Sequence, residues 1–173
     1  MKTIYIIRHG EKPGLNHVEH MDDGIHLSAR GHSRAAALAH QVDELFGISK
    51  HTDIDYIFAT AESHASRRPI QTVEPLSIFC KKKIKAKYSD EDYKKLANKL
   101  LSNKKYDDKI IVICWHHGKI PSLVKALGGK HINPFPKGKW GDDVFDMVVK
   151  LEYNNTEVSI SSFPQKLLHG DTE

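Results

Sequence analysis

Three short runs, residues 3–7, 54–59 and 110–114, are almost wholly apolar and rich in Ile, Val, Tyr and Phe. Unbroken apolar runs of this length suit strands covered on both faces rather than strands with one wet face. Each gives way to a stretch in which apolar residues recur every three or four positions. After Ser28, a good N-cap, the residues Ala35, Leu38, Ala39, Val42, Leu45 and Phe46 keep helical spacing until Gly47 ends it. Residues 67–79, 90–102 and 119–127 are expected to be further helices. Asp90 would cap the second of these, Leu96, Leu100 and Leu101 would form its apolar face, and Gly128-Gly129 would close the third. A Pro/Gly/Lys-rich loop then covers 130–141, and two alternating stretches, 144–151 and 156–162, predict a hairpin around Asn154-Asn155.

Strands alternating with helices predict a three-layer α/β/α sandwich around a largely parallel central sheet. With 173 residues the chain can bury one good core, so a single domain over 1–163 is expected, with 164–173 as a loosely held C-terminal tail. Lys81, Lys83, Lys85 and Lys87 alternate, which reads as the solvated face of an edge strand.

Charged residues make up 28% of the chain and leave a net charge of +4, too small to imply nucleic-acid binding but suited to an anionic small substrate. Cys80 and Cys114 lie in or beside apolar runs and lack ligand-like spacing, so nothing asks for an oxidising compartment. The run Ile4-Tyr5-Ile6-Ile7 falls short of the roughly 7–15 residues of a signal-peptide core. No segment approaches the roughly 20 apolar residues of a membrane span, so the expectation is a cytoplasmic protein without a membrane partner.

Ligands of open α/β sheets gather beyond the carboxyl ends of the strands. Here the first run leads into Arg8-His9-Gly10-Glu11, the second into a polar loop and Arg67-Arg68, and the 110–114 run into Trp115-His116-His117-Gly118. A neutral imidazole can attack phosphorus, and arginine forks bind phosphate oxygens bidentately while staying charged. His9 would need an unprotonated attacking nitrogen, its other nitrogen donating to a carbonyl or carboxylate. A residue such as His117 would instead be held protonated beside a bound phosphate.

Arg8-His9-Gly10-Glu11 resembles the opening signature of the histidine phosphatase superfamily, which has the phosphoglycerate mutase-like fold. Asp23-Gly24-Ile25-His26-Leu27-Ser28-Ala29-Arg30-Gly31 is similar to the family's stretch before its first long helix. Arg68-Pro69-Ile70-Gln71-Thr72 is similar to its arginine followed by Gln-Thr, and His117-Gly118 to its second histidine motif. Four motifs in the same order, spread from Arg8 to Gly118, make the match specific.

The resemblance implies the small single-domain phosphatase branch and a phosphohistidine on His9, with Arg8, Arg68 and His117 binding the phosphate and Gly118 beside it. It implies a phosphoric monoester hydrolase of the histidine acid phosphatase type, acting on a phosphorylated small molecule or a phosphoprotein without a cofactor. Lys12 and His64 stand close enough to the motifs to touch substrate. His116 is set aside as a structural or rim residue because neighbours on an extended backbone point opposite ways, and Gln-Thr spacing selects Arg68 over Arg67.

The chain departs from the family at the general acid, since Gly118 follows the second histidine where one branch has an acidic residue. Glu11, Asp90, Glu91 and Asp92 are the candidates, with Asp142-Asp143 as a further pair. The alternatives are a phosphoglycerate mutase-like phosphotransferase and a catalytically weak regulator that binds a phospho-ligand. Twelve histidines raise the thought of a metal, but His17-Val18-Glu19-His20 has no convincing further ligands, so no metal site is expected and a loop over the pocket is the better reading of that segment. Trp115 and Trp140 read as core or pocket-wall aromatics.

Overall fold

The structure is a computed structural model that describes residues 1–13, 24–129, 135, 138–154 and 157–172. Six strands form one sheet in the order β3-β2-β4-β1-β5-β6. They are β1 (Lys2–Arg8), β2 (Ile54–Thr60), β3 (Ile84–Tyr88), β4 (Ile110–Trp115), β5 (Met147–Asn154) and β6 (Glu157–Pro164). The first four in that order run parallel, and the β5–β6 hairpin is added antiparallel to β1.

Alternation along the central strands divides the core in two. Ile4 and Ile6 of β1 and Ile111, Ile113 and Trp115 of β4 face one layer, where helices α3 (Tyr93–Ser102) and α4 (Ile120–Ala126) supply Leu96, Leu100, Leu123 and Val124. Tyr5, Ile7, Val112 and Cys114 face the other, against Leu38, Val42 and Phe46 of α1 (Ala29–Phe46) and Val73 and Leu76 of α2 (Arg68–Cys80). Each such aliphatic side chain, withdrawn from water, contributes roughly 1.5–3 kcal/mol. Helices on both faces of a mostly parallel sheet make the expected three-layer sandwich.

Several details differ from expectation. The first hairpin strand begins and ends three residues later and the second one to two residues later, and Asn155 lies outside the described residues, as do most of the 130–141 loop and the His17–His20 segment. Asp90 is not a helix cap: residues Asp90–Asp92 form a 3-10 turn, whose Ser89 N–H and hydroxyl both donate to the Asp92 carboxylate. Leu101 is exposed, and Ala97 takes its place on the buried face, because a residue five positions after Leu96 has turned past the contact stripe. The last residues are not loosely held: Gln165 is buried and Asp171 is bound to Arg34. The lysine-rich edge strand is as expected, with Lys85 and Lys87 exposed and Ile84 and Ala86 turned inward.

Candidate active site

The carboxyl ends of β1 and β4 lie side by side. Arg8 pairs with Trp115 in register, and the next peptide N–H, that of His9, donates to the Trp115 carbonyl at 3.2 Å. The turn after His9 is packed from two sides. Gly10 N–H donates to the Thr72 hydroxyl of α2, while Glu11 O accepts from both the N–H and hydroxyl of Ser28 at the start of α1. Approach of α1 is so close that a Cβ on Gly10 would meet Gly31 O at 2.9 Å, and one on Gly31 would meet Glu11 O at 2.4 Å. Glycine at both positions is therefore a steric requirement.

His9 is 2% exposed, and its Nδ1 lies 2.7 Å from the Gly10 carbonyl oxygen. A carbonyl only accepts, so Nδ1 carries the proton and Nε2 keeps its lone pair. Burial holds the imidazole pKa well below the ordinary histidine value, the Gly10 hydrogen bond opposing, with further lowering from His116, Arg8 and Arg68.

Arg8 is almost fully buried. Its Nη1 donates to Asp142 O at 2.6 Å, Val144 O at 2.9 Å and Gly141 O at 3.2 Å, and its guanidinium carbon sits 3.8 Å from the Phe145 ring centroid. Burial lowers its pKa to about 10, still charged at neutral pH, and its Nε has no hydrogen-bond partner among the described residues. Arg68, at the start of α2, donates from Nη1 to the Gly24 carbonyl and bears electrostatically on His9, His116 and Arg8.

Both histidines after β4 come to this site, which corrects the expectation that only one would. The strand ends at Trp115, so strict alternation stops before His116 and His117. The His116 ring lies edge-on to His9 with centroids 5.1 Å apart, and burial lowers its pKa to about 4. His117 Nε2 lies 3.0 Å from the Asp142 carboxylate, which opposes the lowering of its pKa by burial and Arg8. Lys12 is exposed and within electrostatic range of His117. His64 is exposed on the Ser63–Ser66 turn and does not share these contacts, and Gly118 is exposed.

The acid candidates separate by environment. Glu11 is bound to Arg30 and Arg34, Asp92 to Lys95 and Ser89, and Glu91 to Lys119. Asp90 is different: burial, then Glu91, raise its carboxyl to about 6, and its buried Oδ1 has no partner among the described residues. Its carbonyl accepts from Trp115 Nε1 at 3.3 Å. Trp115 and Trp140 are both buried, as expected. A cavity of about 630 Å³ lies at the opposite end of the β1 and β5 strands, beside Lys2, Asp107 and Tyr153, and holds none of the candidate residues. No group of histidine, cysteine and carboxylate side chains among the described residues is arranged to hold a metal ion.

No family model and no curated protein matches the chain by sequence. Solved structures do match it in three dimensions. A candidate phosphohistidine phosphatase, SixA, from Agrobacterium tumefaciens aligns with a TM-score of 0.58 at 14% identity, over 92% of this chain and 96% of its own. The chain has the phosphoglycerate mutase-like fold. Another SixA candidate of this fold, from Nakamurella multipartitia, gives 0.53 at 15% identity over 87% and 83%. The ecdysone phosphate phosphatase of Bombix mori, solved with tungstate, gives 0.58 at 11% identity over 92% of both chains. No helix among the described residues is long and apolar enough to cross a membrane.

Proposed function

We propose that the chain is a phosphatase that hydrolyses a phosphomonoester, or a phosphorylated protein side chain, through a phosphohistidine on His9. The observation that carries this reading is a buried neutral imidazole whose Nε2 lone pair is free to attack, flanked by Arg8 and Arg68. In the first step Nε2 attacks phosphorus and the bond to the leaving oxygen breaks. Arg8, Arg68 and His117 balance the charge on the equatorial oxygens, and phosphate would engage the spare Nε of Arg8. A bound dianion favours the imidazolium form of His117, so this residue becomes a donor on ligand binding.

Asp90 is our choice for the acid that protonates the leaving oxygen. A carboxyl with a pKa of about 6 is largely protonated in mildly acidic solution and keeps roughly a tenth of its protonated form at pH 7, whereas Glu11, Glu91 and Asp92 are ion-paired. Water then attacks the phosphohistidine to release phosphate, and the side chains alone supply the nucleophile and the charge stabilisation. The phosphatase names of structures that match nearly the full length of the chain support hydrolysis over mutase chemistry.

The test is turnover of p-nitrophenyl phosphate in the presence of chelator by the wild type and by His9→Ala. Chelator-resistant activity that His9→Ala abolishes is expected. Equal activity in the variant would refute the assignment.

A further inference from the structure

Arg34 is an arginine only 2% exposed, yet it touches none of the reacting groups. It stands on α1 between two segments far apart in sequence. Its Nε and Nη2 donate to the Glu11 carboxylate at 2.7–3.1 Å, its Nη2 and Nη1 to Asp171 at 2.7 and 2.9 Å, and its Nη1 to Gln165 Oε1 at 3.0 Å. One turn earlier on the same face, Arg30 repeats the bridge, from Glu11 at 3.2 Å to the His169 carbonyl at 2.9 Å.

The segment from 165 to 172 has a second attachment. Gln165 N–H donates to Asp146 O at 2.6 Å, and Thr172 N–H to the Asp146 carboxylate at 2.5 Å. Asp171 closes the segment on itself by accepting from the N–H groups of Leu167 and Leu168. Asp146 directly follows the stretch that holds the site from above: Gly141, Asp142 and Val144 give their carbonyls to Arg8, Phe145 stacks on it, and Asp142 meets His117. Glu11, at the other attachment, is two residues beyond His9.

Accepting the phosphatase reading above, we propose that residues 165–172 form a strap, with Arg34 and Asp171 as positioning residues, that ties the His9–Glu11 turn to the 141–146 loop and so fixes the mutual orientation of His9, Arg8 and His117. A buried ion pair is a poor device for stability alone, because desolvation offsets much of its attraction. Its use here is geometric: pairing of β1 with β5 brings the two loops side by side, and the two charged forks fix how they sit beyond the last paired residues, Ile7 and Val148. A cavity of about 300 Å³ bordered by Glu11, Arg34, Phe145 and Asp171 leaves the loops room to shift once the bridge is cut.

Asp171→Asn in the full chain keeps the shape and removes the charge. Misplacement of catalytic groups by a fraction of an ångström weakens transition-state contacts more than substrate binding. For p-nitrophenyl phosphate the strap requires kcat to fall about tenfold or more with KM changed less than about threefold, and Asp171→Glu to recover part of the loss. It also requires the ¹⁵N spectrum of His9 to move from a single Nδ1–H tautomer to a mixture. A fall in Tm with kcat and the His9 tautomer unchanged would overturn the proposal. Should Asp171→Asn fail to fold, Asp146→Ala, which removes the carboxylate that accepts from the Thr172 N–H and leaves Asp171 intact, must give the same two effects, and their absence would be equally decisive. A wild type inactive on the aryl phosphate would defeat the phosphatase reading, while the tautomer readout would still decide the strap.

Discussion

His9 Nδ1 donates to the carbonyl of the next residue, Gly10, across 2.7 Å. This short local contact fixes which nitrogen is available for chemistry, and burial keeps the ring neutral. The sign of the pH effect follows. The unfolded chain takes up the His9 proton near the ordinary value of about 6.5, while the folded protein resists it, so stability falls as pH drops through and below that value. His9→Asn removes this proton uptake, and its unfolding free energy should be less acid-sensitive than the wild type between about pH 6.5 and 4.5. Parallel curves from denaturant titrations would contradict this.

Gly31→Ala tests the packing of α1 on the catalytic turn. The new Cβ would stand 2.4 Å from Glu11 O, a backbone atom that cannot swing away. Destabilisation of about 1–3 kcal/mol is expected, typical of forced overpacking, together with a drop in kcat because the displaced turn carries His9. Unchanged Tm and kcat would show that the turn is not held as described.

For Arg8→Lys the charge survives and the geometry does not. An ammonium cannot reproduce the planar fork over Phe145 while meeting three carbonyls and a phosphate. Loss of one such stabiliser costs about 10²–10³ in kcat. A variant within about threefold of wild type would remove Arg8 from the phosphate site.

Asp90→Asn separates the acid from the other carboxylates. The loss should be large on an alkyl phosphate and small on p-nitrophenyl phosphate, whose leaving group needs little protonation. The wild type should also lose alkyl phosphatase activity as pH rises through about 6, the value to which burial lifts Asp90. The folded pKa lies above the unfolded one, so the stabilising effect is complete below the unfolded value and is lost as pH rises through about 6. Asn at this position should therefore stabilise the protein at pH 8, by roughly 1–2 kcal/mol, and not at pH 4. Equal losses on both substrates would discard Asp90 as the acid.

Much of this architecture is legible in the sequence because its signals are local. The β1, β2 and β4 runs are apolar throughout since helices cover both faces, and Gly47 and Gly128-Gly129 punctuate α1 and α4. Arg8, His9, Arg68 and His117 stand at strand ends or a helix start, where topology concentrates chemistry. The remainder depends on contacts without a local signature. Arg34 and Asp171 are 137 positions apart, and a charged residue in a tail reads as solvated until its partner is known. Alternation along a strand sets His116 aside only while the strand continues, and β4 stops one residue earlier. In sequence Asp90 is indistinguishable from Glu91 and Asp92, because three successive carboxylates differ only in what the fold places around each.

The most direct measurement is to mix the protein with a ³²P-labelled phosphate donor, quench within the first turnovers and locate the label by peptide mapping. Label on His9 that survives base, is lost in acid and is absent from His9→Ala is the predicted result. Steady hydrolysis with no labelled histidine, or with the label on another residue, would contradict a nucleophilic role for His9.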